Sequence, residues 1–121
     1  MIEYSIKGTH EVLSEIVKAG NLYFISGQTP KDKATQTVIG NNITEQAEQV
    51  MENIKAILDA AGLELTDVAK TTCYMADIKS VPEFNKVYKK YFTGKPARVC
   101  LAVKDLPNGV LCEVECIAYK E

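Results

Sequence analysis

The sequence predicts an α+β domain in which a single mixed sheet carries two helices on one face. Two segments place apolar residues at the three- and four-residue spacing of an amphipathic helix. Short runs rich in β-branched and aromatic residues precede, separate and follow them, which is typical of strands. A chain of 121 residues is long enough for one core, so we expect one domain over residues 1–121.

The N-terminal part is predicted to contain two strands and a loop. The run LYFIS, Leu22–Ser26, is aromatic and β-branched and ends at a glycine, and EYSIK near the start has a similar character. We expect these two strands to be neighbours. Residues 31–42 are rich in turn-forming residues and are predicted to form a loop.

A long helix is predicted over Thr44–Ala61. Its apolar residues follow the i, i+3, i+4, i+7 rule. Asn42 and Glu45 have the spacing of a capping box, and Gly62 stands where a left-handed C-terminal residue belongs.

The C-terminal half is predicted to contain a strand, a helix and two more strands. The strand is Val68–Met75, and the second helix begins at Ser80, with Glu83 in capping-box spacing. The third strand is predicted over Ala97–Val103. After a DLPNG turn, Val110–Tyr119 is predicted to be a longer final strand.

Side-chain alternation predicts two different faces for the final strand. Small apolar residues suited to lie beneath helices are found on one face: Cys112, Val114, Cys116 and Ala118. The other face mixes charged and apolar residues: Leu111, Glu113, Glu115, Ile117 and Tyr119. This mixture suits a subunit interface that contains a polar pocket.

The same test on the third strand gives a prediction for Arg98. It places Val99, Leu101 and Val103 under the helices and Arg98, Cys100 and Ala102 on the opposite face. Arg98 and Glu113 are therefore expected to share a face of the sheet.

Arg98 is also notable because the chain has 13 lysines and this single arginine. A guanidinium is planar and can bind a carboxylate through two parallel hydrogen bonds. Two roles remain open at this point: a structural salt bridge to Glu113 or Glu115, or a site for an anionic ligand.

Composition and charge exclude several classes of function. The net charge of −2 gives no diffuse positive field for nucleic acid or an anionic membrane. The N-terminus has no apolar leader, and no segment is long enough to span a membrane, so we expect a cytoplasmic protein. The four cysteines form no C-x-x-C pair and are expected to be reduced thiols, and no metal-binding spacing is present.

Two motifs resemble those of the RidA/YjgF family, also described as the endoribonuclease L-PSP family. PARVCLAVKDLPNGVLCEVECIA, Pro96–Ala118, resembles its C-terminal signature, in which a PAR strand precedes LP, a turn and an E-x-E-x-I-A strand. GNLYFISGQTP, Gly20–Pro30, resembles its G-N-x-x-x-x-S-G-Q-x-P motif. The resemblance extends over roughly residues 19–119. It implies a chorismate-mutase-like fold and a homotrimer with clefts between subunits.

The resemblance further implies an enamine/imine deaminase that converts 2-iminobutanoate or 2-iminopropanoate to 2-keto acids and ammonia. Arg98 would bind the substrate carboxylate and Glu113 would position the attacking water. Ser26 and Cys100 would line the pocket, and Gly27 would allow close backbone approach. No metal or organic cofactor is implied. The partners would be a small 2-imino or 2-keto acid and further copies of the chain, without membrane or nucleic acid.

One position departs from the family pattern. The family's N-terminal loop reads G-P-Y-x-Q and its tyrosine closes over the pocket, whereas Leu13 stands at that place here. Two alternatives therefore stay open: an endoribonuclease-type translation inhibitor, and a regulatory trimer that binds 2-keto acids without turnover. The net charge argues against the basic groove that RNA cleavage would require.

Overall fold

The computed structural model describes residues 1–4 and 10–121. It contains one six-stranded mixed sheet and two α-helices, which confirms the predicted fold class. The strands are β1 (Ile2–Tyr4), β2 (Ile16–Ala19), β3 (Leu22–Gln28), β4 (Val68–Met75), β5 (Ala97–Ala102) and β6 (Cys112–Tyr119). The helices are α1 (Ile43–Ala60) and α2 (Val81–Tyr91). The strand order is β1-β2-β3-β6-β4-β5, and only the β4–β5 pair is parallel among these neighbours.

Helix α1 forms where the apolar stripe and the capping residues of the sequence predict it. The Oδ1 atom of Asn42 accepts the N–H of Glu45 at 2.9 Å, which satisfies one free donor of the first turn. The Glu45 carboxylate accepts the N–H of Asn41 at 2.9 Å, one residue earlier than in the expected capping box. Gly62 has a φ of +77°, as expected for a left-handed residue after the helix.

Helix α2 begins differently from the prediction. A 3₁₀ turn, Ile78–Ser80, runs directly into the helix, so Ser80 already has helical backbone angles. Its side chain makes no capping hydrogen bond, and the predicted capping box with Glu83 is wrong. Asp77 caps the 3₁₀ turn instead, because its Oδ1 accepts the N–H of Lys79 at 2.9 Å.

The N-terminal hairpin contains a strand that the sequence prediction missed. Strand β2 pairs with β3 through a two-residue turn at Gly20 and Asn21, where Gly20 has a φ of +63°. Strand β1 pairs with β2 and not with β3. The predicted pairing of EYSIK with Leu22–Ser26 is therefore wrong, and residues 5–7 of EYSIK lie outside the described part of the chain.

The core lies between the helices and one face of the sheet. Strand β6 contributes the four residues predicted for this face, all buried: Cys112, Val114, Cys116 and Ala118. Two buried polar side chains tie α1 to its surroundings. Gln46 accepts the N–H of Leu111 at 2.8 Å, and Asn53 donates to the carbonyl groups of Thr29 and Lys31. These bonds hold the start of β6 and the segment after β3 in place.

The opposite face of the sheet is apolar and has no cover in the described chain. Seven large apolar side chains on it are 38% exposed or more: Ile2, Tyr4, Leu22, Phe24, Val99, Leu101 and Tyr119. We call this the open face. Among the described helices, none is long and apolar enough to cross a lipid bilayer.

The predicted faces of β5 are wrong. Arg98 pairs in register with Thr71, and Cys100 with Cys73, and both of these partners are buried beneath the helices. Arg98 and Cys100 therefore face the helices, while Val99 and Leu101 face the open side. The test failed because it took apolar residues to mark the core, and here both faces of the sheet are apolar.

Candidate functional site

Glu113 lies on the open face beside a second carboxylate and a tyrosine. Alternation along β6 places Glu113 and Glu115 on this face, and Tyr74 is the register partner of Glu113 on β4. The Tyr74 hydroxyl donates to Oε1 of Glu115 at 2.5 Å. Burial, and then the neighbouring charge of Glu115, raises the pKa of the Glu113 carboxyl group above its usual value.

Gly27 makes room for the Glu113 carboxylate. The register between β3 and β6 shifts between Ile25 and Gln28, which brings the backbone at Gly27 close to Glu113. A methyl group on Gly27 would overlap the Oε2 atom of Glu113. Only glycine therefore allows this position of the carboxylate, in agreement with the expected close backbone approach.

Ser26 fixes the loop that carries Leu13. The Ser26 Oγ donates to the carbonyl oxygen of Ser14 at 2.5 Å, and its N–H donates to the carbonyl of Glu15 at 2.9 Å. Leu13, the residue at the family's tyrosine position, is 47% exposed on this loop. The loop thus lies next to the bulge that accommodates Glu113.

Arg98 rests on a platform built by helix α2. Its Nη1 donates to Oδ1 of Asn85 at 2.7 Å, and its guanidinium carbon lies 4.7 Å from the centre of the Tyr88 ring. The Tyr88 hydroxyl shares a hydrogen bond of 2.7 Å with Oγ1 of Thr71, the register partner of Arg98. Cys100 is partly buried on the same side of β5.

Arg98 forms no ion pair with a carboxylate in the part of the chain that the structure describes. Glu113 and Glu115 lie on the other face of the sheet. A structural salt bridge from Arg98 to either glutamate within one chain is therefore excluded. The side chain remains exposed, so its other N–H groups are available to an external anion.

The predicted site residues fall into two groups within one chain. Ser26 and Gly27 lie with Glu113 on the open face, while Cys100 lies with Arg98 on the helix side. Strands β6 and β5 are separated by β4, so the two groups are offset by two strand spacings, about 10 Å, as well as lying on opposite faces. The expectation that Arg98 and Glu113 share a face is wrong.

Other clusters give no stronger candidate. No group of His, Cys, Asp or Glu within residues 1–4 and 10–121 could hold a metal ion. Burial raises the pKa of the Cys73 thiol to about 12, which makes it a poor nucleophile. A shallow groove of about 470 Å³ lies away from both groups; it is lined by Ile39, Gly40, Asn41, Glu45, Glu48, Gln49, Glu52 and Tyr91.

The sequence prediction missed three residues that position the site. Asn85 and Tyr88 are three residues apart on α2 and therefore share a face of that helix. Tyr88 belongs to the buried apolar stripe of α2, and the stripe alone does not reveal its contact with Arg98. Tyr74 could have been identified only with the register between β4 and β6 in hand.

Comparison with known proteins gives a consistent result. A family model described as endoribonuclease L-PSP matches residues 8–120. A RutC family protein of Pyrococcus horikoshii is 50% identical over 109 residues, which cover 89% of this chain and 86% of that protein. The crystal structure of yeast Mmf1 has a TM-score of 0.92 at 36% identity and covers 100% of both chains. That of E. coli TdcF with bound serine has a TM-score of 0.86 at 34% identity, covering 94% of this chain and 92% of TdcF. The chain belongs to the endoribonuclease L-PSP family, which is the RidA/YjgF family.

Proposed function

We propose that the protein is an enamine/imine deaminase that hydrolyses small 2-imino acids to 2-keto acids and ammonia. The observation that carries this proposal is the state of Arg98. It is the only arginine, it is held by Asn85 and Tyr88, and it pairs with no carboxylate of the described chain. A guanidinium held in this way suits the carboxylate of a ligand.

The site is proposed to form between subunits of a homotrimer. Arg98 and Glu113 lie on opposite faces of one sheet, so a ligand can contact both only if they come from different copies of the chain. Arg98 and Cys100 of one subunit would face Ser26, Gly27 and Glu113 of the next. The apolar open face supports this assembly, because such a surface is normally covered by protein.

The proposed chemistry needs only orientation and a proton acceptor. Arg98 binds the substrate carboxylate and so fixes the electrophilic imine carbon. Glu113 takes a proton from a water molecule whose oxygen adds to that carbon, and the imine nitrogen is protonated. The resulting amino alcohol loses ammonia as its C–N bond breaks and the C=O bond forms. An enamine first becomes the imine by protonation at carbon.

The serine bound to E. coli TdcF also supports a small carboxylate ligand for this chain. Serine carries its carboxylate and nitrogen on one carbon, as a 2-imino acid does. A 2-keto acid has the same carboxylate with oxygen in place of nitrogen. All of these ligands would present the same group to Arg98.

RNA cleavage is a second candidate, favoured by the description of the matched family as an endoribonuclease. The net charge of −2 argues against the basic groove that binding of a phosphate backbone would require. A regulatory trimer without catalysis would bind 2-keto acids and release no ammonia. RNA binding that is lost steeply with added salt would favour the nuclease, and ammonia release would favour the deaminase.

A coupled assay tests the proposal directly. A threonine dehydratase generates 2-iminobutanoate, and its loss is timed with and without the protein. We expect faster loss with the wild-type chain, no acceleration over the uncatalysed loss with Arg98→Ala, and an acceleration lower by about a hundredfold with Arg98→Lys, because lysine loses the paired planar donors.

The control for that assay is Lys89→Ala, which removes an exposed cation from the same helix. It should leave turnover unchanged. Melting temperatures establish that each variant is folded. A folded Arg98→Ala protein with wild-type turnover would contradict the proposed role of Arg98.

A further inference from the structure

Two polar side chains that have no part in the proposed reaction lie close to Glu113. Glu115 lies two residues further along β6 on the same face, about 6.6 Å away in backbone spacing. Tyr74 stands opposite Glu113 in the register, yet its hydroxyl reaches diagonally to Glu115, with 2.5 Å between the two oxygens. The three side chains thus form one cluster across β4 and β6.

No basic group pairs with either carboxylate among the described residues. On the same face, β3 contributes neutral residues next to Glu113, and β5 contributes Val99 and Leu101. Lys70 of β4 lies opposite Ile117, beyond Glu115. Within the described part of one chain, the charged or titratable groups on the elements around Glu113 are Glu115, Tyr74, Tyr119, Lys70 and, on the neighbouring loop, His10, Glu11 and Glu15. In the proposed trimer, Arg98 of the next subunit also faces Glu113, and it is present in the wild type and in both variants of the test. Glu15 is already paired with Lys33 at 3.3 Å.

We propose that Tyr74 and Glu115 are positioning residues that tune Glu113 as the base of the hydrolysis. Tyr74 holds the Glu115 carboxylate in place through its hydrogen bond. The ionised Glu115 then increases the tendency of Glu113 to take a proton from water. This inference rests on the proposed function, because it assigns Glu113 to water activation.

The proposal has a physical basis in two contacts with opposite effects on a carboxyl group: the hydrogen bond from Tyr74 to Glu115, and the like charge of Glu115 beside Glu113. A hydroxyl that donates to a carboxylate favours its charged form, whereas a nearby like charge favours the neutral form of Glu113. Burial and Glu115 both raise the pKa of Glu113. The hydrogen bond to Glu115 is the largest cause that raises the pKa of Tyr74, to about 12, so Tyr74 remains a donor at neutral pH.

The test is a carboxyl ¹³C NMR titration of the whole protein without substrate. In Glu115→Gln, the Glu113 carboxyl should titrate at lower pH than in the wild type, because the neighbouring charge is gone. In Tyr74→Phe, the Glu113 carboxyl should also titrate at lower pH, because the Tyr74 hydroxyl no longer holds Glu115 beside it. Both substitutions preserve side-chain size, which favours folding.

A second tyrosine–glutamate pair provides matched controls. Tyr91 donates to Oε2 of Glu52 at 2.8 Å, on the helices and away from the open face. Tyr91→Phe and Glu52→Gln should leave the titration of Glu113 unchanged. Wild-type titration of Glu113 in Glu115→Gln or in Tyr74→Phe would overturn the proposal.

The pH dependence of kcat/KM separates this proposal from the proposed function. For Glu115→Gln, the acidic limb of imine hydrolysis should move to lower pH, and the rate on the plateau should fall because Glu113 is a weaker base. If the Glu113 titration shifts as expected but the wild type hydrolyses no imine, the proposed function is wrong and the positioning role of Tyr74 and Glu115 is supported. If the wild type hydrolyses imines while Glu113 titrates identically in all variants, the positioning role of Tyr74 and Glu115 is wrong and the proposed function is supported.

Discussion

Glu113 is held partly out of water next to another acidic side chain, and this arrangement costs folding stability when both groups are ionised. Its pKa is raised in the folded protein, so the folded state binds the proton more tightly than the unfolded state. The stabilisation by that proton is complete below the usual carboxyl pKa of 4.5. It is lost as the pH rises through the higher pKa of the folded state.

In the Arg98→Ala chain, where no guanidinium of the next subunit faces Glu113, Glu113→Gln should therefore raise the melting temperature at neutral pH and have much less effect near pH 3. The same substitution in the wild-type chain should abolish imine hydrolysis, because the amide cannot accept the proton of the water. Thermal unfolding across this pH range measures the first effect, with Glu48→Gln on the exposed side of α1 as the control. A double variant that is less stable than Arg98→Ala at pH 7 would contradict the raised pKa of Glu113.

The sequence could identify Arg98 as a candidate site residue but not the face of the sheet on which it lies. The count of one arginine against 13 lysines identified Arg98 as unusual without any structural information. Its side of the sheet could not be predicted from the pattern of β5. The neighbours of Arg98 in this strand are apolar, but they lie on the open face and not in the core. Only the register of β5 with β4 assigns Arg98 to the helix side.

At the scale of elements, the best predictions concern segments with both a periodic pattern and marked ends. Helix α1 begins one residue before its predicted start and also ends one residue early, and β4 has the predicted bounds. Strand β2 was missed because only four residues form it, too few for a periodic pattern. Its signal was the Gly20–Asn21 dipeptide, which is typical of a two-residue hairpin turn.

The bulge in β3 is the element that positions the Glu113 carboxylate. Gly27 has no left-handed backbone angle, so alanine is compatible with the chain path there. The added methyl group would instead displace the flexible end of Glu113. The effect should therefore appear in catalysis and much less in folding.

Gly27→Ala should lower kcat by about a hundredfold through misplacement of Glu113, while the melting temperature changes by no more than about 3 °C. Gly94→Ala is the matched control, because its methyl group would meet no atom closer than 3.8 Å. Imine turnover and thermal unfolding of both variants check this. Wild-type turnover in Gly27→Ala would mean that the position of Glu113 is unimportant.

At the scale of the molecule, the main feature is the open face, an apolar surface that no described part of the same chain covers. Its seven exposed aromatic and aliphatic side chains lie on four of the six strands, while the helices cover only the other face. Apolar surface of this extent is typical of a subunit interface. The sequence indicated such an interface from β6 alone, and β1, β3 and β5 extend it.

We expect sedimentation to give a species of about three times the 13.4 kDa chain mass. Leu101→Glu should dissociate it, because a charge would be buried in the interface. Ile78→Glu, which replaces an apolar residue that is 53% exposed outside the sheet, should not. A wild-type monomer at micromolar concentration would remove the basis for a site between subunits.

The most direct test of a shared site is to combine two inactive variants in one assembly. Arg98→Ala retains Glu113, and Glu113→Gln retains Arg98, so each variant alone should be inactive. After unfolding and refolding together in equal amounts, about a quarter of the interfaces should have both functional residues, and imine turnover should return to about that fraction of wild type. Mixed trimers that form but show no turnover would contradict the proposal that Arg98 and Glu113 act from different subunits.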